Sequence, residues 1–410
     1  MILPSIDLYN GKAVQLRQGR EPVIEREDVF ELLEAFSLYG EVAVIDLNAA
    51  FREGSNRDLI VEMAKRAPIR VGGGIRDLET ARDYLKAGVT RIIIGTAAQE
   101  PFLKKLPKDQ IVIALDAWGD NWVTDGWKTK TSLSPQDVLA QLAERCGEFL
   151  YTQVEKEGMM QGIDQERFKR IAEQSPLPVT FAGGITNIED ITFIRDLGAK
   201  AQIGMAVYSG HLSLEDCLFA QLDFEKQHLI PTVVQDLDTG AVLMLAYSSQ
   251  DSLRRSLEER KGVYFSRSRK ALWEKGATSG NRQRLVQVET DCDGDTLVFQ
   301  VHQQGPACHF NRYSCFPKTN PGFDLNALEA VLKDRFDKRP EGSYTTKLFQ
   351  SAEFLNSKIL EEAQELVEAQ SFEEVRWEAS DLIYFALTKA ISCGVSLDDI
   401  RAELRSRHAG

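Results

Sequence analysis

The first half of the chain repeats three short motifs at a nearly constant spacing. Ile6-Asp7 recurs as Leu115-Asp116, the glycine-containing run 71–75 recurs as 181–185, and Ile94-Gly95 recurs as Ile203-Gly204, at offsets of 109, 110 and 109 residues. A constant offset over several motifs is typical of a duplicated structural unit. The sequence therefore predicts that residues 1–222 consist of two halves with the same fold.

Apolar runs of strand length alternate with helical patterns through these 222 residues. The predicted strands are 2–8, 42–47, 69–73, 91–95, 111–116, 149–154, 178–183 and 201–207, and the clearest helices are 28–38, 78–87, 135–146 and 188–197. Eight buried strands alternating with helices indicate parallel βα units, and the length suits a TIM barrel. We expect a (β/α)8 barrel built of two half-barrels.

Each repeated motif ends a predicted strand, which is where the active sites of such barrels lie. Asp7 and Asp116 would face each other there as an acid/base pair. Either aspartate is also explained by helix capping, and a single glycine pair by a tight turn. We expect six glycines to let the backbone approach two phosphates, one in each half: Gly73, Gly74, Gly95, Gly183, Gly184 and Gly204.

This region resembles a known isomerase family. The runs 6–12, 72–76, 126–127, 155–158 and 182–185, with Asp116 and Thr152, are similar to the phosphoribosylformimino-aminoimidazole carboxamide ribotide isomerase of histidine biosynthesis. The resemblance implies an Amadori rearrangement with Asp7 as base, Asp116 as acid and Thr152 assisting, although the two aspartate roles remain exchangeable. Trp118, Asp120, Asn121, Met159 and Met205 depart from the family pattern on loops that hold substrate.

A second chemistry-bearing stretch places alternating aspartates beside a thiol. Half of the six cysteines fall within it, and its candidates are Asp291, Asp293 and Asp295 with Cys292, Cys308 and Cys315. On a strand the three aspartates would share one face and hold Mg²⁺, while Cys292 would point the other way. Three thiolates leave the fourth position of Zn²⁺ to a water nucleophile. The alternative is three unrelated buried thiols and a solvated acidic turn.

The motifs around this stretch resemble phosphoribosyl-AMP cyclohydrolase over residues 228–318. The similar runs are 262–269, 272–273, 275–276 and 278–280, and Ala277 departs from the usual Glu. The resemblance implies a small α+β domain that opens the adenine ring, with Zn²⁺ on the three cysteines and Mg²⁺ on the three aspartates. It also implies a homodimer that draws its zinc ligands from both subunits. Arg267, Arg269 and Lys275 are candidates to bind phosphate, and His309 to carry a proton; each also fits a solvated or structural role.

Residues 325–410, after a predicted linker containing Pro317, Pro321 and Gly322, follow helical patterns at 325–335, 345–370, 372–393 and 397–405. Their acids would face each other across a helix pair and bind Mg²⁺ with nucleotide phosphates; they are Glu361, Glu362, Glu365, Glu378 and Asp381. A solvated acidic helix is the alternative.

These acids, with the runs 343–345 and 377–379, resemble phosphoribosyl-ATP pyrophosphohydrolase, an all-α nucleotide pyrophosphohydrolase. The resemblance implies that water attacks between the α- and β-phosphates, with Glu362 as the candidate catalytic acid.

Composition limits the classes of partner and the cellular compartment that we expect for this chain. The net charge of −13 argues against nucleic acid. No apolar run approaches the roughly 20 residues that span a bilayer, and no secretory signal is evident. Few, clustered cysteines favour the cytoplasm.

Together, the three resemblances predict three consecutive steps of histidine biosynthesis acting on phosphoribosyl nucleotides. The alternatives are a bifunctional hydrolase with a catalytically silent barrel and a nucleotide-sensing assembly protein.

Overall fold

The computed structural model of this chain describes residues 2–19, 21–316 and 323–407. The chain divides into one unit of residues 1–319 with 405–410 and a second unit of residues 320–404. The predicted linker residues Pro317, Pro321 and Gly322 lie outside the described residues, as do the last residues of the predicted domains 228–318 and 325–410.

Eight parallel strands of the first unit close into a barrel. The strands of this sheet in chain order are β1 (Ile2–Tyr9), β2 (Lys12–Arg17), β3 (Glu21–Arg26), β4 (Val42–Asp46), β5 (Ile69–Gly72), β6 (Arg91–Ile94), β7 (Ile111–Trp118), β8 (Asn121–Thr124), β9 (Thr129–Lys130), β10 (Glu148–Gln153), β11 (Val179–Ala182) and β12 (Lys200–Ile203). The order around the barrel is β1-β4-β5-β6-β7-β10-β11-β12, with β12 pairing back to β1. The predicted barrel is confirmed.

The predicted duplication is visible in the two longest barrel strands. β1 and β7 each have eight residues, and each continues into antiparallel strands, β2 and β3 in one half and β8 and β9 in the other. The predicted last strand is too long, because the chain turns at Gly204 into a short helix instead of continuing to Val207.

Helices cover the outside of the barrel strands. They are α1 (Val29–Ser37), α2 (Leu47–Phe51), α3 (Arg57–Ala64), α4 (Leu78–Lys86), α5 (Pro135–Leu142), α6 (Gln165–Gln174), α7 (Ile188–Asp196), α8 (Met205–Tyr208) and α9 (Leu214–Phe219). Short 3₁₀ turns occupy 101–105, 108–110 and 154–156. Several helices begin at a side chain that accepts a backbone N–H, such as Asp77 before α4 and Asn187 before α7.

A smaller α+β region follows the barrel within the same unit. Its elements are β13 (Ile230–Asp236), β14 (Val242–Ser248), α10 (Gln250–Glu259), β15 (Val263–Ser266), β16 (Ala271–Glu274), β17 (Gln283–Thr290) and β18 (Leu297–Gln303). The sheet order is β14-β13-β18-β17, and β15 and β16 form a separate hairpin. The predicted α+β class is confirmed.

The second unit is helical, as predicted. Its helices are α11 (Leu325–Lys338), α12 (Tyr344–Gln350), α13 (Ala352–Glu368), α14 (Phe372–Ser392) and α15 (Leu397–Arg407). The single helix predicted over 345–370 is wrong, because Ser351 is extended and its hydroxyl accepts the N–H of Phe354 to begin α13. No helix in the described ranges is long and apolar enough to cross a membrane.

Candidate active sites

A cavity of about 200 Å³ opens at the carboxyl ends of the barrel strands. Asp7 at the end of β1 and Asp116 at the end of β7 both line it, as the repeat predicts. Thr152 on the neighbouring strand β10 lies in register with Asp116 and lines the same cavity. The fold therefore brings the three predicted catalytic residues of the barrel together.

The two aspartates differ in their hydrogen bonds. Burial raises the pKa of Asp7 to about 7. Burial also raises the pKa of Asp116, but hydrogen bonds from Trp127 and Thr152 favour its ionised form and oppose that rise. Trp127 Nε1 donates to Asp116 Oδ2 at 2.8 Å. Asp116 is thus held in one orientation, and Asp7 is an acid whose proton is poised near neutrality.

A third carboxyl group, Glu157, completes this cavity and was not among the predicted catalytic residues. Burial, followed by the charges of Asp7 and Asp116, raises the pKa of Glu157 to about 8. Glu157 directly follows the 3₁₀ turn after β10, and its side chain lines the cavity. The available signal was its position five residues after Thr152 at the end of a barrel strand, in a run that already carried the family resemblance.

The predicted phosphate-binding glycines lie in two groups. Gly73, Gly74 and Gly95 line the main cavity, and Gly183, Gly184 and Gly204 line a small adjoining pocket. Both spaces are also lined by Glu157 and Gln202, so Glu157 lies between the two glycine groups.

Gly73 and Gly183 occupy equivalent places in the two half-barrels. Both have positive φ, at 95° and 85°. A Cβ atom at Gly73 would collide with the carbonyl of Asp46, and one at Gly183 would lie 2.5 Å from the carbonyl of Gln153. The close approach of neighbouring strand ends therefore requires glycine at both positions.

Among the residues that depart from the isomerase pattern, Met205 lines the small adjoining pocket, beside Gly204. Asp120 is exposed and lies 3.7 Å from Arg167, which forms a closer ion pair with Glu155 at 2.7 Å. Met205 is therefore the departure that bears most directly on the small pocket.

The three aspartates of the middle region lie on a turn between β17 and β18 instead of the strand that their alternation predicts. The turn is closed by Asp291, whose Oδ1 accepts the N–H groups of Asp295 and Thr296 at 3.0 and 3.1 Å. Even so, one carboxylate oxygen from each of Asp291, Asp293 and Asp295 lies within 4.8 Å of the others. Such a set of oxygen ligands suits Mg²⁺.

Two of the three predicted zinc ligands meet. The thiols of Cys308 and Cys315 interact, and burial and then Cys308 raise the pKa of Cys315. Cys292 is exposed, and its sulfur lies 4.0 Å from Asp293 Oδ1. Within the described ranges, the three sulfur atoms do not form a group of mutually close ligands.

The remaining candidates of the middle region have different surroundings. Arg267 is exposed and stacks over the ring of Tyr247 at 3.8 Å, and Arg269 is exposed near Trp273. Lys275 is buried beside the thiols, where burial lowers its pKa and Cys315 and Cys308 oppose that change.

The predicted proton carrier His309 is exposed and packs against Phe310. Phosphate binding by Arg267, Arg269 and Lys275 and proton transfer by His309 remain predictions.

The helical unit gathers acids from α13 and α14, as predicted. Glu362, Glu365 and Glu378 offer carboxylate oxygens within 4.8 Å of one another. Burial, then Asp381 and Glu365, raise the pKa of Glu362, so Asp381 belongs to the same neighbourhood. Glu361 instead forms an ion pair with Lys358 at 2.8 Å. Four of the five predicted acids therefore meet, and the fifth is directed to a lysine.

The chain combines a closed barrel that has acids at its strand ends, an α+β region that bears acids and thiols, and a pair of helices whose acids converge. This combination indicates a multidomain enzyme. A family model described as "Histidine biosynthesis protein" matches residues 1–213, more than half of the chain. The chain belongs to this family. Models described as "Phosphoribosyl-AMP cyclohydrolase" and "Phosphoribosyl-ATP pyrophosphohydrolase" match residues 244–317 and 325–408.

Curated relatives match different parts of the chain. An imidazole-4-carboxamide isomerase of Methanocaldococcus jannaschii is 36% identical over 53% of this chain and 98% of its own length. A histidine biosynthesis bifunctional protein of Thermus thermophilus is 40% identical over 45% of this chain and 91% of its own length. A histidine biosynthesis trifunctional protein of Kluyveromyces lactis is 44% identical over 44% of this chain. The chain spans only 21–27% of the length of the trifunctional relatives it matches.

Proposed function

We propose that this chain catalyses three consecutive steps of histidine biosynthesis, in the reverse of their order along the chain. The helical unit hydrolyses phosphoribosyl-ATP to phosphoribosyl-AMP and pyrophosphate, the middle region opens the adenine ring, and the barrel isomerises the resulting aminoaldose ribotide. The observation that carries the proposal is that acids converge at three separate places, one within or beside each region that a family model matches.

In the barrel, Asp7 acts as the base and a second carboxyl group as the proton donor that opens the ribose ring. Glu157 suits the donor role because its pKa of about 8 keeps it protonated at neutral pH. Asp116, held by Trp127 and Thr152, orients the substrate or shares the proton. The two glycine pockets would receive the phosphates at the two ends of the substrate.

In the middle region, we propose that Cys308 and Cys315 hold Zn²⁺ with Cys292 contributed by a second copy of the chain. This assignment rests on the family resemblance and on the meeting of only two of the three thiols within one chain. Bound zinc supplies a water of lowered pKa as the nucleophile. The homodimer follows from this sharing of ligands, and a cytoplasmic location suits free thiols.

The same region would hold Mg²⁺ on the acidic turn, where Asp291, Asp293 and Asp295 converge. A hard cation offsets the repulsion of three carboxylates. Arg267 and Arg269, both exposed, would contact substrate phosphate. His309 would move a proton at the opening ring.

In the helical unit, we propose that Glu362, Glu365, Glu378 and Asp381 hold the Mg²⁺ that binds the nucleotide phosphates. Mg²⁺ held by these acids would polarise the phosphates and activate water. Glu362 is the most buried of the three mutually close acids, at 7% exposure, and is the proposed catalytic carboxylate. Lys358 holds Glu361 beside the site and neutralises its charge.

The test is to supply phosphoribosyl-ATP to the purified chain with Mg²⁺ and Zn²⁺ and to separate the products. Accumulation of the aminoketose ribotide supports all three steps. A reaction that stops at the aminoaldose supports the two hydrolytic steps and a silent barrel. Unchanged phosphoribosyl-ATP contradicts the proposal at its first step.

A further inference from the structure

The turn Asp291–Thr296, here called the acidic loop, packs on the barrel of the same unit. Gly294 at its centre is buried and has a φ of 73°. A Cβ atom there would collide with the backbone carbonyl of Gln221, which follows α9 of the barrel region. Gln227 also donates from Nε2 to the carbonyl of Asp295 at 3.3 Å. The loop thus lies directly against the barrel and its connecting segment.

The strand that leads into the acidic loop is attached to the barrel as well. The N–H of Val288 on β17 donates to the carbonyl of Leu38 at the end of α1, at 2.7 Å. The hydroxyl of Thr290, the last residue of β17, donates to Gln221 Oε1 at 3.3 Å. Gln221 and Thr290 are only 3% and 7% exposed, so water competes little for this hydrogen bond.

A further contact fixes the middle region from the side of α10. Arg254 on α10 forms an ion pair with Glu215 at 2.6 Å and lies over the ring of Phe219 at 5.1 Å. Both partners belong to α9, which immediately precedes Gln221. The segment that supports the acidic loop is therefore held at two places, which limits its movement relative to the loop.

The loop needs such support because its charges oppose its own shape. Three carboxylates whose oxygens lie within 4.8 Å of one another repel, and two of them are exposed. Asp291 closes the turn by accepting two backbone N–H groups. These two bonds are local, whereas the contacts to Gln221 come from the turn after α9, outside the loop.

We infer that the barrel is a positioning partner of the acidic loop and that Gln221 is the positioning residue. Its side chain accepts the hydrogen bond of Thr290, and its backbone carbonyl lies against Gly294. The side-chain hydrogen bond keeps the three carboxylates convergent before a cation binds. This inference rests on the proposed Mg²⁺ role of the loop in ring opening. It gives the barrel a second task, in support of the neighbouring region, that is separate from isomerisation.

The test measures peptide-resolved hydrogen exchange over residues 288–297 in the full chain, with and without Mg²⁺. We expect Gln221→Ala to speed metal-free exchange of this peptide by about tenfold and to raise the Mg²⁺ concentration needed for protection several-fold. The matched control is Gln235→Ala, which removes a side-chain hydrogen bond to Gly240 in the same region but away from the barrel. The control should leave this peptide unchanged.

A second pair of variants guards against general unfolding. Thr290→Val removes the hydroxyl that reaches Gln221 and should reproduce the faster exchange, whereas Thr290→Ser keeps the hydroxyl and should restore slow exchange. Unchanged exchange in Gln221→Ala and Thr290→Val would overturn the inference, as would equal acceleration in the Gln235→Ala control. If Mg²⁺ fails to protect the wild-type peptide, the proposed metal role is wrong, while faster exchange in the variants still supports positioning.

Discussion

The barrel and the helical unit each gather carboxylates, but the surroundings of the two clusters differ. In the barrel, Asp7 and Glu157 are buried and line the cavity at the strand ends, and burial is the largest cause of their raised pKa values. In the helical unit, Glu365 is exposed and Glu378 half-buried, and each lies within 4.8 Å of Glu362. Dehydrated acids retain protons and suit proton transfer, whereas crowded, accessible acids suit a cation. The same residue type thus supports two chemistries.

The largest expected effect comes from removing the barrel base. Asp7→Asn should lower isomerase kcat by about 10²–10⁴-fold, because a positioned base contributes about that much. Hydrolysis of phosphoribosyl-ATP by the same protein should be unchanged. Both activities are measured on one preparation, with Asp58→Asn, at an exposed position of helix α3, as the matched control. Equal loss of both activities would erase the distinction between the clusters.

The helical cluster should respond to its members unequally. Glu365→Gln should reduce pyrophosphate release by about 10²-fold at limiting Mg²⁺ and recover in part at high Mg²⁺, because it replaces one of the converging carboxylates with a neutral amide. Glu361→Gln should change the rate by less than about threefold, because that carboxylate is paired with Lys358. Equal effects would place Glu361 among the metal ligands, as its spacing first indicates.

The pH dependence of the isomerase should report the dehydrated acids. The proposed base, Asp7, must be ionised, so kcat/KM should rise as pH passes about 7. The proposed proton donor, Glu157, must be protonated, so kcat/KM should fall above about pH 8. Glu157→Gln should remove the alkaline fall while lowering the maximum. A profile that is flat from about pH 6 to about pH 9 would contradict the role of burial.

A smaller effect on stability follows from the same pKa. The pKa of Asp7 is raised by burial from 3.8 to about 7, so ionisation opposes folding as pH rises between those values. Asp7→Asn should therefore unfold at the same temperature as wild type below about pH 4 and about 10 °C higher above pH 7. Thermal unfolding of the barrel at both pH values measures this. If the variant instead unfolds at a lower temperature than wild type above pH 7, the charge of Asp7 stabilises the folded barrel, which would contradict this prediction.

The fold was largely predictable from the sequence for two reasons. Buried parallel strands have uninterrupted apolar sequences, and the two half-barrels share repeated motifs. The acidic loop was not, since Asp291-Cys292-Asp293 alternates like a strand while Gly294 turns the chain with positive φ. Glu157 was missed because its nearness to Asp7 depends on the tertiary fold. The helix break at Ser351 was missed because the apolar pattern continues through this residue. Its hydroxyl nevertheless caps the start of α13.

The contrast between dehydrated and metal-binding acids is tested most directly by adding the aminoaldose ribotide to the chain in the presence of a strong metal chelator. We expect the barrel to form the aminoketose at its full rate, while hydrolysis of phosphoribosyl-ATP by the same sample stops. Loss of isomerisation on chelation, with recovery when metal is restored, would contradict the claim that the barrel acids act by proton transfer alone.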